Sequence, residues 1–240
     1  MAVSVDTVYQ RVLAIANKEQ RGYITPQEYN LLANQAQLLI FEQYFYDIDK
    51  ALDIPGNDTE YSDRITMLRE KVAHFERFNI DMSAVSSATM TLPTSPTVHK
   101  LGTVFYNDST RSVKVERIDA KEAEMMEQTS LYKATQLRPV YVRRSATQLQ
   151  FYPSSALPAY STSTVNCNYV AKPATVVWGY TVVNNQAMYN LTTSTDFELQ
   201  ASEETNLVYK ILELAGIVLN KPGLVQIAAT EDNELMVKKQ

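Results

Sequence analysis

The spacing of apolar positions divides the chain into three stretches. Val5, Val8, Val12, Ile15 and Ala16 repeat every three to four residues, predicting a first helix over 5–19 with Asp6 in its first turn and a left-handed cap at Gly22. Thr25, Pro26 and Glu28 then make a capping box with proline at the first helical position. The helix this opens carries Tyr29, Leu32, Ala33, Ala36, Leu39, Ile40, Tyr44 and Ile48 on one stripe, with Phe41 and Phe45 beside it. A face that wide needs partners on two sides, and the helix should stop before Pro55-Gly56. After a polar turn over 57–62, Ile65, Leu68, Val72 and Phe75 predict a third helix reaching about Phe78.

From position 84 the apolar period shortens to two. Strands are expected over 88–92, 98–106 and 112–117, the last two joined by a turn at Asn107-Asp108. Asp119 and Glu122 form a second capping box that opens a short helix to Glu127. Strands over 140–143, 148–152, 164–171, 176–183 and 187–191 follow, with Asn184-Asn185 as a tight hairpin turn.

Helical spacing then returns. Ser202 is placed to cap a helix with Leu207, Val208, Ile211, Leu212, Ala215, Val218 and Leu219 on its buried stripe, and 224–237 reads as a second helix after a turn at 220–223. The expected class is α+β: a helical bundle formed by the N- and C-terminal helices (1–85 plus 197–240), with an inserted, mostly antiparallel β domain over 86–196 that contains one short helix.

Composition narrows the function classes. The formal net charge of -5 supplies no overall positive field toward nucleic acid or an anionic membrane. One cysteine cannot make an intramolecular disulfide, and no apolar run approaches the ~18 residues of a membrane span. These point to folding in a cytoplasm. Only six glycines also argue against phosphate-binding loops.

Candidate chemistry is sparse. His74 lies in the charged third helix and His99 at a strand start, neither with metal-ligand spacing. Cys167 falls mid-strand with Val165 and Tyr169 on its face and no readable base nearby. Asp47, Asp49 and Asp53 lack the glycine and closing glutamate of a calcium loop, and Glu122, Glu124, Glu203 and Glu204 stand at helix starts, where the dipole accounts for them. No catalytic, cofactor-binding or metal residue is therefore expected. Arg138, Arg143 and Arg144 beside Tyr141 and Tyr152 make an aromatic and basic strip that suits a protein interface better than single-stranded nucleic acid. Leu235, Met236 and Val237, finished by Lys238 and Lys239, form an amphipathic end and a second candidate for docking.

The stretch RGYITPQEYNLLANQAQLLIFEQYFYDI (21–48) resembles the opening of virion structural proteins of short-tailed crAss-like and related marine phages. Pro139-Val-Tyr141, Leu149-Gln-Phe-Tyr-Pro153, Tyr169-Val-Ala-Lys-Pro173 and FELQASEETNLVYKILELAGI are similar to phage head-to-tail adaptors of the ring or tail-tubular type. The resemblance implies a helical bundle carrying a β domain, assembled as a cyclic and commonly twelve-fold ring under the portal, with further tail ring proteins below. DNA would be only the passing content of its channel, the site of action the virion neck or tail, and no active-site residue carries over. Two other readings compete with this one: a virion-associated carboxylate hydrolase, which needs a pocket with convergent carboxylates, and a small nucleic-acid-binding module using the Arg138–Arg144 strip.

Overall fold

The computed structural model describes residues 2–18, 24–53, 59–86, 88–108, 111–153, 165–218 and 230. The chain divides into two compact units, Met1–His74 with Pro173–Gln240, and Phe75–Lys172.

The first unit begins with β1 (Ala2–Val3), α1 (Val5–Lys18), α2 (Pro26–Asp53) and α3 (Thr59–Ala73). The capping box at the start of α2 is made as the residue types dictate: Glu28 Oε2 accepts from the Thr25 amide at 2.9 Å, and Thr25 Oγ1 accepts from the Glu28 amide at 3.3 Å. The wide face of α2 finds its two sides, packing on α3 and on α5 (Glu204–Val218), while α1 also packs on α5. Tyr29, Ala33, Ala36, Ile40, Phe41 and Tyr44 are buried as expected, whereas Leu39 is exposed. The turn expected over 57–62 is helix from Thr59 onward.

The second unit is dominated by one sheet of eight strands: β2 (Glu76–Asp81), β3 (Ser83–Ser86), β4 (Thr89–Thr91), β5 (Val98–Asp108), β6 (Arg111–Arg117), β7 (Val140–Arg143), β8 (Gln148–Tyr152) and β9 (Val165–Ala171). Their order is β2-β9-β5-β6-β7-β8-β4-β3, so the two edge strands are β2 and β3. Only Met82 separates those edges in the chain, and consecutive Cα atoms are about 3.8 Å apart. The sheet must therefore curl until both its ends meet at Met82, whose amide donates to the Val165 carbonyl at 3.0 Å. The enclosed face is a single apolar core that includes Met82, Met90, Val104, Val115, Tyr141, Phe151, Val165 and Cys167. On the outer face, α4 (Ala120–Gln128) covers Val140 and Val142 through Ala123 and Met126.

The expected helical bundle with an inserted antiparallel β domain is thus corrected to a mixed α/β architecture. The eight-stranded curled sheet is its largest element, and β6 and β7 run parallel in it, joined by the α4 crossover. The helical unit also has strands of its own: β10 (Tyr180–Val183) with β11 (Gln186–Tyr189), and β1 with β12 (Phe197–Gln200).

Local expectations also shift. Phe75 is buried, but helix α3 has ended before it and Glu76 already belongs to β2. Asn107 and Asp108 are paired within the β5–β6 ladder and are not its turn. Asp119 precedes α4 without a side-chain capping bond, and Ser202 lies inside a 3-10 turn, Ala201–Glu203, ahead of α5. The strand expected over 176–183 pairs in the hairpin only from Tyr180. Gly22, Pro55-Gly56 and nearly all of the helix expected over 224–237 lie outside the described residues.

Candidate interface surfaces

Among the described residues no group of three or more His, Cys, Asp and Glu side chains could hold a metal ion. Cys167 is fully buried in the enclosed core of the sheet, and burial pushes its thiol up to about 11. A thiol in that setting is not a nucleophile at neutral pH. His74 and His99 are both exposed.

The Tyr–Arg strip is not brought together. In the β7–β8 ladder Tyr141 faces Phe151 and Val140 faces Tyr152, so the two tyrosines point to opposite faces of the sheet. Tyr141 is buried in the enclosed core, where burial raises its phenol pKa, and Tyr152 packs into the cluster under α4. Arg143 folds back on its own loop, donating to the Ser145 carbonyl at 3.2 Å and the Ala146 carbonyl at 2.8 Å. Arg144 is exposed, and Arg138 stands 3.7 Å from Glu116 with both side chains mostly in solvent, a pair of little energetic weight. Tyr141 is therefore a core residue and Tyr152 a half-buried one on the opposite face, and the strip is not one surface. Leu235, Met236, Val237, Lys238 and Lys239 lie outside the described residues.

Three other surface features present apolar groups. The first is an arm, the β10–β11 hairpin, whose root is built by α2. Asn34 Nδ2 donates to the Val176 carbonyl and Asn34 Oδ1 accepts from the Val176 amide, each at 2.8 Å. Asn30 Oδ1 accepts from the Trp178 amide at 2.7 Å, and Gln37 Nε2 donates to the Ala174 carbonyl at 2.8 Å. The match is one of rise. Four helical residues advance about 6 Å and two extended ones about 6.6 Å, so side-chain amides on successive turns meet every second residue of the strand. Asn30, Asn34 and Gln37 thus act as a surrogate strand for 174–178. Sequence reading missed them, although their spacing of four and three follows the apolar stripe of α2 beside which they sit.

Trp178 closes the root. Its ring lies 4.4 Å from Tyr9 and its indole N–H donates to Asp6 at 3.0 Å, while Tyr180 and Tyr189 pack on it at 5.9 and 5.8 Å. Gly179 follows because a Cβ there would come within 2.7 Å of the Thr193 carbonyl carbon. Beyond this root the hairpin turns at Asn184-Asn185, both with positive φ (49° and 64°), as a two-residue primed turn requires. Val182, Val183 and Met188 are exposed along it, Val182 on one face and Val183 with Met188 on the other.

The second feature is an apolar groove of about 220 Å³ between α1 and α5, lined by Arg11, Ala14, Ile15, Thr205, Val208 and Tyr209. The third is the loop after α4, where Leu131, Tyr132 and Leu137 are all exposed while Ala134 is buried against the outer face of the sheet.

Comparison with models of protein families and with curated proteins finds no match. Among the described residues, no helix is long and apolar enough to cross a membrane.

Proposed function

We propose that the chain is a non-enzymatic structural protein of a phage virion, a ring-forming adaptor of the neck or tail that joins the portal to further tail proteins around the DNA channel. The observation that carries the reading is the β10–β11 arm. It has two strands only, apolar side chains on both faces and an outer edge on each strand, and an isolated hairpin of that kind is marginal in water. Such an arm suits a molecule completed by its neighbours. The resemblance of 21–48 to phage virion structural proteins, and of the motifs at 139–141, 149–153, 169–173 and 197–217 to head-to-tail adaptors, supports the same assignment.

Imaging of the native assembly is the test. Cyclic symmetry with the chain at the neck or tail is the expected result, and a monomer in intact particles, or absence from them, refutes the assignment. A Val182→Ser, Met188→Ser double variant should fold normally and incorporate poorly.

A further inference from the structure

The described surface poses a question of fit: which exposed apolar element fills the groove between α1 and α5? The groove, at about 220 Å³, exceeds the ~150 Å³ of an apolar cavity that accepts benzene. It therefore admits one large aliphatic side chain. Exposed large apolar side chains stand on several elements, Leu31 on α2, Met67 on α3 and Phe78 on β2 among them, but they cluster on two. These are the β10–β11 arm, with Val182, Val183 and Met188, and the loop after α4, with Tyr132, Leu137 and Leu131, which at 86% is the most exposed large apolar side chain among the described residues.

Charge decides between them. The unit that contains the groove and the arm holds 11 Lys and Arg against 19 Asp and Glu, a formal -8. The unit that contains the loop holds 11 against 8, a formal +3. Docking the arm of one copy on the groove of another would press two strongly acidic units together. Docking the loop brings a basic unit onto an acidic one, and complementary fields of this kind steer encounter and fix orientation.

The local groups raise no obstacle. Arg11 on the groove wall is paired with Glu204 at 3.0 Å, and Lys133 in the loop with Glu127 at 3.2 Å. The loop is also preshaped. The Tyr132 amide donates to the Thr129 carbonyl at 3.2 Å, the Arg138 amide to the Thr135 carbonyl at 3.0 Å, and buried Ala134 pins its middle, so little ordering is lost on docking.

Resting on the assembly reading above, we infer that copies of this chain join head to tail, the 129–138 loop of one copy seating Leu131 in the α1–α5 groove of the next. The two patches are unlike, so the contact is heterologous and repeats from copy to copy until the ring closes. The arm is then left for a different chain.

The test uses the full-length chain with Cys167→Ala, carrying Ile15→Cys and Leu131→Cys together. Under mild oxidation a ladder of disulfide-linked multimers is expected, while a mixture of the two single-cysteine chains should stop at dimers. In the unmodified chain, Leu131→Asp should raise the concentration of half-assembly by roughly tenfold or more, the effect of losing one interface anchor, and added salt should raise it as well. A monomeric product with an internal disulfide would overturn the inference, because the loop would then fill its own groove. Cyclic assemblies by native mass spectrometry without a ladder, and indifferent to Leu131→Asp, would move the lateral contact elsewhere and leave the ring standing. Absence of assemblies at any concentration would remove the ring itself.

Discussion

Replacing Asn34 by leucine should detach the chain at the root of the arm. The amide of Asn34 makes both hydrogen bonds of the buried Val176 backbone, at 2.8 Å each, and leucine can make neither. Two buried polar groups left without partners cost ~1–3 kcal/mol each, and the apolar side chain returns ~1 kcal/mol by its own burial, leaving a net loss of ~1–5 kcal/mol. Asn34→Asp keeps the acceptor for the Val176 amide but sets a carboxylate oxygen against the Val176 carbonyl, so it too should destabilise this unit while leaving the Val176 amide protected. Trp178 is the single tryptophan and lies two residues from the broken contact, so urea unfolding followed by its fluorescence reports this unit alone. Hydrogen exchange at the Val176 and Trp178 amides should accelerate in parallel. If Asn34→Leu unfolds within about 0.5 kcal/mol of the parent protein, or the Val176 amide stays protected, the surrogate-strand account of α2 is wrong.

Three further outcomes are expected. Glu203 is 1% exposed and its Oε1 takes a 2.6 Å bond from Lys71, a side chain 19% exposed with its ammonium 5.6 Å from the centre of the Tyr44 ring. Since removing one partner strands the other, Glu203→Gln should lower thermal stability by ~2–3 kcal/mol, less than for a fully enclosed pair, and adding Lys71→Met should recover at least half. Strictly additive losses in that cycle would show that the two charges do not interact. Cys167 should resist a thiol reagent at pH 8 until the chain is unfolded. Its folded-state pKa is raised by burial from 9.0 to about 11, so its contribution to stability is constant below pH 9 and fades as pH rises toward 11, a loss that Cys167→Ala should abolish. Deleting 231–240, the amphipathic end that carries Leu235 to Lys239, should weaken assembly onto the portal, and undiminished assembly in a pull-down with portal protein would end that candidate.

What could be read from the chain alone was what is encoded locally. The capping box at Thr25–Glu28 and the positive-φ turn at Asn184-Asn185 depend on neighbours within a few residues, and both form as expected. β2 and β3 went unread although Phe78, Ile80, Met82 and Ala84 alternate with Asn79, Asp81 and Ser83, because the helical stripe through Phe75 was extended over the start of that run, and Ser83–Ser86 is exposed throughout. Their order comes from backbone pairing with β9 and β4, partners set by the curl of the sheet. The amide ladder of α2 failed for a related reason: Asn30, Asn34 and Gln37 look like a solvated edge until a segment some 140 residues away is laid against them. That same contact carries the chain from Pro173 into the helical unit, where composition had placed the return only at 197.

The interface strip was lost to parity. Expecting strands over 140–143 and 148–152 was sound, but their register places Tyr141 and Tyr152 on opposite faces, and a pattern read along one strand at a time cannot show that. The charge split behaves in the opposite way. Summed over the boundaries expected from sequence, 1–85 with 197–240 and then 86–196, the formal charges are again -8 and +3. The net -5 of the whole chain excludes an overall positive field, yet averaging conceals two stretches of opposite sign that were present in the sequence throughout. In the head-to-tail contact inferred above, the sign of each half governs docking, whereas the net charge governs only solubility and long-range steering. High salt should consequently weaken contacts between copies while leaving the fold of each unit unchanged.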